Sequence, residues 1–246
     1  MERREIKSPR ISESTGRVRL LQISDVHIGM IVGKNRLLQI ARKVKEAAPD
    51  LLISTGDLLD GQIDSLTECA AILREIRPPY GKVAIMGNHE HFAGLARSLD
   101  FMQEAGFIML RGEAMIAAGI GIAGLDDPMG RGFDLYRDVR AKDLLSGLPA
   151  EAFILLLVHQ PIVQKDVVDR FDLQLSGHTH GGQIFPFSLI TRIFFSFHSG
   201  FFHLGSRSSL YVSRGTGTWG PPIRFLSPPE ITVIDLVPLR NAPKDS

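Results

Sequence analysis

Residues 176–183 read Ser-Gly-His-Thr-His-Gly-Gly-Gln, directly after an apolar run over 171–175. In a continuing strand His178 and His180 would project from one face, and Gly181 and Gly182 would let the backbone turn close to a ligand. Imidazole is the commonest metal ligand. A lone pair of this kind reads as a polar surface turn, but matching groups stand upstream in the same kind of position. Asp25 and His27 follow a strand-like run at 18–24, and Asp57 follows one at 51–55. Asn88 and His89 come after residues 83–86, and His159 after residues 153–158. With no thiolate among them, a closed structural zinc site is disfavoured, and this many imidazoles do not suit magnesium or calcium. Mixed His, Asp and Asn donors suit manganese, iron or zinc. The donors exceed one coordination sphere, which calls for two divalent ions about 3.5–4 Å apart with a carboxylate shared between them. Asn88 would fill a position without adding charge.

The elements that must position these groups alternate along the chain. Residues 18–24, 51–55, 83–86, 115–123 and 153–158 read as strands, and 35–47, 64–77, 95–105, 142–148 and 163–170 as helices. The 64–77 helix is stopped by Pro78 and Pro79. Strands at 173–176, 209–213 and 231–237 complete a strand-rich second half. Alternation implies an α/β protein with a largely parallel first sheet and a second, mixed sheet packed on it. Ligands bind beyond the carboxyl ends of such strands, which is where the candidate donors fall.

At 246 residues with 44% hydrophobic content the chain supports a full core, and a net charge of +1 gives no electrostatic case for nucleic acid. Its single cysteine, Cys69, excludes an intramolecular disulfide, fits a reducing compartment and reads as a buried helix residue. Residues 1–16 are charged and Ser-rich, with no apolar segment long enough for a signal peptide or membrane span. A flexible arm over 1–16 and a single domain over 17–240 are therefore expected, in a cytoplasmic protein.

The ordered set Asp25-x-His27, Gly56-Asp57-x-x-Asp60, Gly87-Asn88-His89-Glu90, His159 and Gly177-His178-Thr179-His180 resembles the calcineurin-like metallophosphoesterases. The tail Arg214-Gly215-Thr216-Gly217, with Pro229-Glu230-Ile231, is similar to a bacterial YkuE/YaeI-like phosphodiesterase branch. That branch includes a UDP-2,3-diacylglucosamine pyrophosphatase. The resemblance implies a four-layer α/β/β/α sandwich in which Asp25, His27, Asp57 and His180 hold one ion. Asp57, Asn88, His159 and His178 would hold the other, with Asp57 as the bridge. It further implies cleavage of a phosphodiester or pyrophosphate by a metal-bridging hydroxide, with His89 as general acid. Asp60 would either orient a ligand or cap the next helix. Glu90 would position His89 or be a solvated loop acid, and His91 is a residue for substrate contact or ordinary packing. Asp126 and Asp127 read as an Asp-Asp-Pro turn, and His198 and His203 as loop residues.

Seven of the chain's 14 phenylalanines fall in residues 184–204, with Arg192 the one basic residue there. Without clean periodicity, this stretch reads as an exposed aromatic loop beside the cleft. Peripheral membrane contact through Phe185 to Phe202 and a lipid-linked phosphate ester follow as expectations. The rival from another class is a non-catalytic scaffold, which has no need of a complete charged cluster.

Overall fold

The computed structural model describes residues 1–61, 66–133 and 135–239. Five strands come first: β1 (Glu2–Ser8), β2 (Val18–Ile23), β3 (Leu51–Ser54), β4 (Lys82–Ala84) and β5 (Ile108–Met109). A second set follows: β6 (Glu113–Ala117), β7 (Ile120–Gly124), β8 (Ile154–Leu157), β9 (Leu173–Ser176), β10 (Gly200–His203) and β11 (Ser209–Val212). The last strand, β12 (Thr232–Pro238), returns to the first sheet, giving the orders β1-β12-β2-β3-β4-β5 and β10-β11-β9-β8-β7-β6. In the first sheet β2 to β5 run parallel and β12 pairs antiparallel with β2. In the second, β7, β8, β9 and β11 run parallel between antiparallel edges. Both sheets are mixed.

The strands alternate their side chains between two buried faces, which makes a layered sandwich. Leu20, Leu51, Ile53 and Val83 point between the sheets, where Leu155, Leu157, Leu173 and Leu175 meet them. Leu21, Ile23, Leu52 and Ala84 point the other way, onto helices α1 (Lys34–Ala47), α2 (Leu66–Arg74) and α4 (Leu95–Glu104). In α1, Leu37, Ile40, Ala41 and Val44 form the i, i+3, i+4, i+7 stripe of a helix packed on one face. Ile154 and Leu156 cover the outer face of the second sheet against α5 (Ala141–Ser146). This is the expected α/β/β/α arrangement.

Three local expectations change. Residues 2–8 are not a loose arm: they form β1, in parallel register with β12 from Glu2 opposite Thr232 to Ser8 opposite Pro238. An edge strand bonds on one side only and commonly carries charge, so Glu-Arg-Arg-Glu hid it; Ile6 is its packing residue. The strand expected over 115–123 is a hairpin of β6 and β7, turning through Ala118 and Gly119 at φ 53° and 72°. Two positive φ values make the two-residue turn that matches strand twist, and alanine gave no warning of it. The helix expected over 163–170 shortens to a 3-10 turn at Lys165–Val167. Of the helix expected over 64–77, Asp64 and Ser65 lie outside the described residues, as does residue 240 of the expected domain. Cys69 is buried on α2. Among the described residues no helix is long and apolar enough to cross a membrane.

Candidate metal centre

The carboxyl ends of β2, β3, β4, β8 and β9 open on one edge of the sandwich. Asp25 and His27 follow β2, Asp57 and Asp60 follow β3, and His159 follows β8, with His178 and His180 after β9. Asn88 and His89 begin the short helix α3 (Asn88–Phe92) after β4. Asp25, His27, Asp57, His178 and His180 all have left-handed backbones, with φ between 51° and 70°. Such conformations cost on the order of 1–3 kcal/mol each, and they persist where surrounding bonds over-determine them. Those bonds are present: Asp25 N donates to Gly56 O and His27 N to Asp57 O, both at 3.0 Å. Two glycines are required by space. A Cβ on Gly87 would overlap Asp57 Oδ1, and one on Gly177 would overlap Ser24 Oγ and Asp25 Oδ2. The tight approach lets backbone amides orient both carboxylates, His89 N donating to Asp57 Oδ1 and His178 N to Asp25 Oδ1, each at 2.9 Å.

The side chains converge around Asp57. His159 Nδ1 donates to Thr55 O at 2.8 Å, which turns Nε2 inward; burial opposes a charge on this ring, but the Asp57 and Asp25 carboxylates outweigh it and hold it well above the usual imidazole value. Within 3.2 Å of that Nε2 lie Asp57 Oδ2, Asn88 Oδ1 and His178 Nδ1. On the other side His27 Nε2 and His180 Nε2 face each other at 3.0 Å, with Asp25 Oδ1 3.6 Å from His180 Nε2 and Asp57 Oδ2 3.9 Å from His27 Nε2. Among the described residues, donor atoms within 4.8 Å of one another form three groups: Asp25, His27 and His180; His27, Asp57 and His89; and Asp57, His159 and His178. Asp57 belongs to two of the three.

This donor set fits divalent cations. A proton on His159 Nε2 serves one of its neighbours, whereas a cation serves them all. Burial holds His27 and His178 down to about 4, and holds His180 well below the usual imidazole value. These rings are therefore neutral near pH 7 and keep lone pairs to offer. Burial opposes ionisation of Asp57, but His159, His27 and His89 outweigh it and hold its carboxyl low. For Asp25 burial exceeds the attraction of His159 and, with the repulsion of Asp57 added, raises the carboxyl. Two buried carboxylates opposing each other leave a deficit of positive charge, which dications supply.

The remaining candidates separate. Asp60 Oδ1 accepts from His89 Nδ1 at 3.0 Å, and its Oδ2 stands 3.8 Å from His27 Nδ1. Burial lowers the His89 pKa, but the bond to Asp60 and the charges of Asp57 and Asp60 outweigh it and leave the ring above its ordinary value. Glu90 is buried and is no solvated acid: it accepts backbone N–H bonds from Asp57, Leu59 and Gly87 at 2.8–2.9 Å, tying the loop after β3 to α3. Burial, with Asp57 nearby, raises its carboxyl to about 7 against those donors. Each buried donor left unpaired costs about 1–3 kcal/mol. Glu90→Ala is thus expected to lower the melting temperature by about 10 °C or more, read by thermal denaturation, with Glu90→Gln recovering part of the loss. His91 is buried away from the donors, packing on Phe133 and Tyr136, so it does not face the site. Asp127 caps a 3-10 turn through Met129 N, as expected of an Asp-Asp-Pro turn, and Asp126 pairs separately with Arg111.

Of three further neighbours of the site, Phe195 lies in the aromatic stretch that the sequence places beside the cleft, while Arg224 and Trp219 escape sequence reasoning. Arg224 Nη2 stands 3.0 Å from His180 Nδ1, and its Nη1 donates to the carbonyl oxygens of Arg214 and His180. The Trp219 ring stands 6.1 Å from that of His89, and Phe195 stands 5.3 Å edge-on from His178. A lone tryptophan among glycines and prolines at 217–222 was the available signal.

Residues 18–182 match the calcineurin-like phosphoesterase family. An uncharacterized metallophosphoesterase of Aquifex aeolicus is 36% identical over 240 residues, covering 96% of this chain and 91% of that protein. YkuE of Bacillus subtilis is 36% identical over 244 residues, covering 94% and 83%. Other relatives are longer: the chain spans 59% of a metallophosphoesterase of Campylobacter jejuni that is 35% identical over 222 residues. Among solved structures, a dimetal phosphatase from Danio rerio aligns with a TM-score of 0.54 at 13% identity, covering 80% of this chain and 87% of that one. A 5'-nucleotidase precursor from Thermus thermophilus aligns at 0.52 with 16% identity, covering 90% and 54%. At these identities the structures share the fold alone. The sequence match runs through the same strand ends that carry the donor atoms, and the chain belongs to the calcineurin-like phosphoesterase family.

Proposed function

We propose that this chain is a metal-dependent phosphoric ester hydrolase that cleaves a phosphodiester or pyrophosphate with two divalent ions, manganese, iron or zinc. One observation carries the reading: donor atoms from four other strand ends gather on both sides of the Asp57 carboxylate. Asp25, His27, Asp57 and His180 would hold one ion, and Asp57, Asn88, His159 and His178 the other. Bound there, the ions supply charge for the phosphoryl oxygens and activate water near neutral pH. The chain's residues do the rest. Asp57 carries the charge common to both positions, and Asn88 adds a donor without adding charge. Asp60 holds the Nδ1 proton of His89, so Nε2 is free to present its proton to the departing oxygen. Manganese-loaded protein should hydrolyse bis-p-nitrophenyl phosphate and lose that activity on chelation. No turnover with manganese, iron or zinc would leave only the scaffold reading.

A second reading, with a lipid-linked substrate at a membrane surface such as a UDP-diacylglucosamine-type pyrophosphate, is favoured by helix α6 (Phe187–Phe194). The 184–204 stretch is not an aromatic loop throughout: α6 and β10 order it. None of the residues of α6 is buried, and Ile193 and Phe194 are 81% and 76% exposed. Each such side chain gains about 1.5–3 kcal/mol on leaving water. Replacing Ile193 and Phe194 by serine should therefore cut liposome co-sedimentation at least about tenfold. Equal sedimentation of wild type and variant would remove α6 as the contact.

A further inference from the structure

A cavity of about 380 Å3 opens beside the candidate metal donors, with His178 and His180 on its inner side. Its volume lies at the small end of ligand sites, about 300–1,000 Å3. Phe187, Thr191 and Phe195 form one wall, spaced at i, i+4 and i+8 along one face of α6 and its C-terminal end. Ile184, Trp219 and Pro221 close the other sides. The helix can sit so close because residue 182 is glycine: a Cβ there would overlap Ser188 Cα.

The amide and hydroxyl side chains around this cavity are already engaged within the protein. Gln183 Nε2 donates to Trp219 O at 2.7 Å and Pro221 O at 3.2 Å, and its Oε1 accepts from Trp219 N at 2.9 Å. Thr179 Oγ1 donates to His198 O at 2.6 Å, and Thr191 Oγ1 to Phe187 O at 3.1 Å. A sugar or base placed here would give up its water for few partners, at a cost. A hydrocarbon chain has no such partners to lose, and it would cover Phe187 and Trp219, which are 60% and 54% exposed.

We propose that this cavity is the subsite for an apolar substituent of the phosphoester, a linear alkyl or acyl chain attached next to the phosphate that the metal donors address. The assignment rests on the hydrolase reading for the position of the phosphate, but its test does not need turnover. Binding of n-alkylphosphonates, methyl to hexyl, to manganese-loaded protein is measured by calorimetry. A buried methylene contributes about 0.8 kcal/mol, so affinity should rise about fourfold per carbon until the cavity fills. Thr191→Glu, which puts a charge on the wall, should bring the hexyl-to-methyl ratio within about threefold of unity. Thr191→Val should keep the slope. Two arms separate the sources of such a chain. Sedimentation with phosphatidate vesicles that hexylphosphonate reverses assigns it to a bilayer lipid, whereas hexylphosphonate binding without vesicle binding assigns it to a soluble ester; both support the subsite. A total rise below about threefold from methyl to hexyl in the wild type overturns it, as does tighter binding of uridine monophosphate than of hexylphosphonate. A flat series alongside metal-dependent turnover removes the subsite and spares the hydrolase; a steep series without turnover does the reverse.

Discussion

Asp57→Asn is expected to bring bound manganese from the proposed two ions per chain to below one, and to abolish metal-dependent turnover with it. Asparagine is the variant of choice because residue 57 sits at φ 52°. Alanine there adds backbone strain to the loss of charge, whereas asparagine tolerates the left-handed region and keeps an oxygen for the N–H of His89. What asparagine removes is the negative charge that two donor groups have in common. Loss of an outer partner of a metal ligand alone costs about 10–100-fold in affinity, so a shared carboxylate should cost more than that at both positions. Elemental analysis after dialysis reads the result directly, and near-normal thermal denaturation excludes misfolding. Two ions per chain at wild-type affinity would end the bridging role.

For His89→Ala the expected result is the opposite pairing: metals retained, turnover lost selectively. A positioned acid contributes about 10²–10⁴-fold when the leaving oxygen needs a proton. An alkyl ester should lose turnover by that factor, and a nitrophenyl ester, whose phenolate departs unprotonated, should lose little. Asp60→Asn should show a smaller loss with the same selectivity, since the closer contact of Asp60 is to the His89 Nδ1 proton at 3.0 Å, with His27 Nδ1 at 3.8 Å. The leaving-group comparison is needed because the His89 ring also lies within reach of the His27 and Asp57 donors. Equal losses on both esters, or a drop in metal content, would make His89 a ligand or a phosphate clamp instead of an acid.

The layered fold was legible wherever a strand is buried on both faces. Leu51 to Ile53 and Ile154 to Leu157 are continuous apolar runs, because the neighbouring helices and the opposite sheet leave no face to water. Legibility failed at edges and turns. The charged β1 bonds on one side only, the β6–β7 turn uses an alanine at positive φ, and α6 buries none of its own residues. Periodicity in that helix therefore had no core to report.

The order and chemical types of the donors were set by the sequence alone: imidazole, carboxylate and amide groups at successive strand ends, without a thiolate. Strand ends are local features, and donor preference is a property of the side chain itself. Tertiary structure alone decided which ring nitrogen faces which oxygen, and that Asp60 answers His89 while Glu90 ties loops behind Asp57. It also placed Arg224, Trp219 and Phe195 around the donors and formed the cavity under α6. Those relations join residues from 17 positions apart, as His178 and Phe195, to 155, as Asp25 and His180, and their distances come from how two twisted sheets pack, which no local pattern encodes.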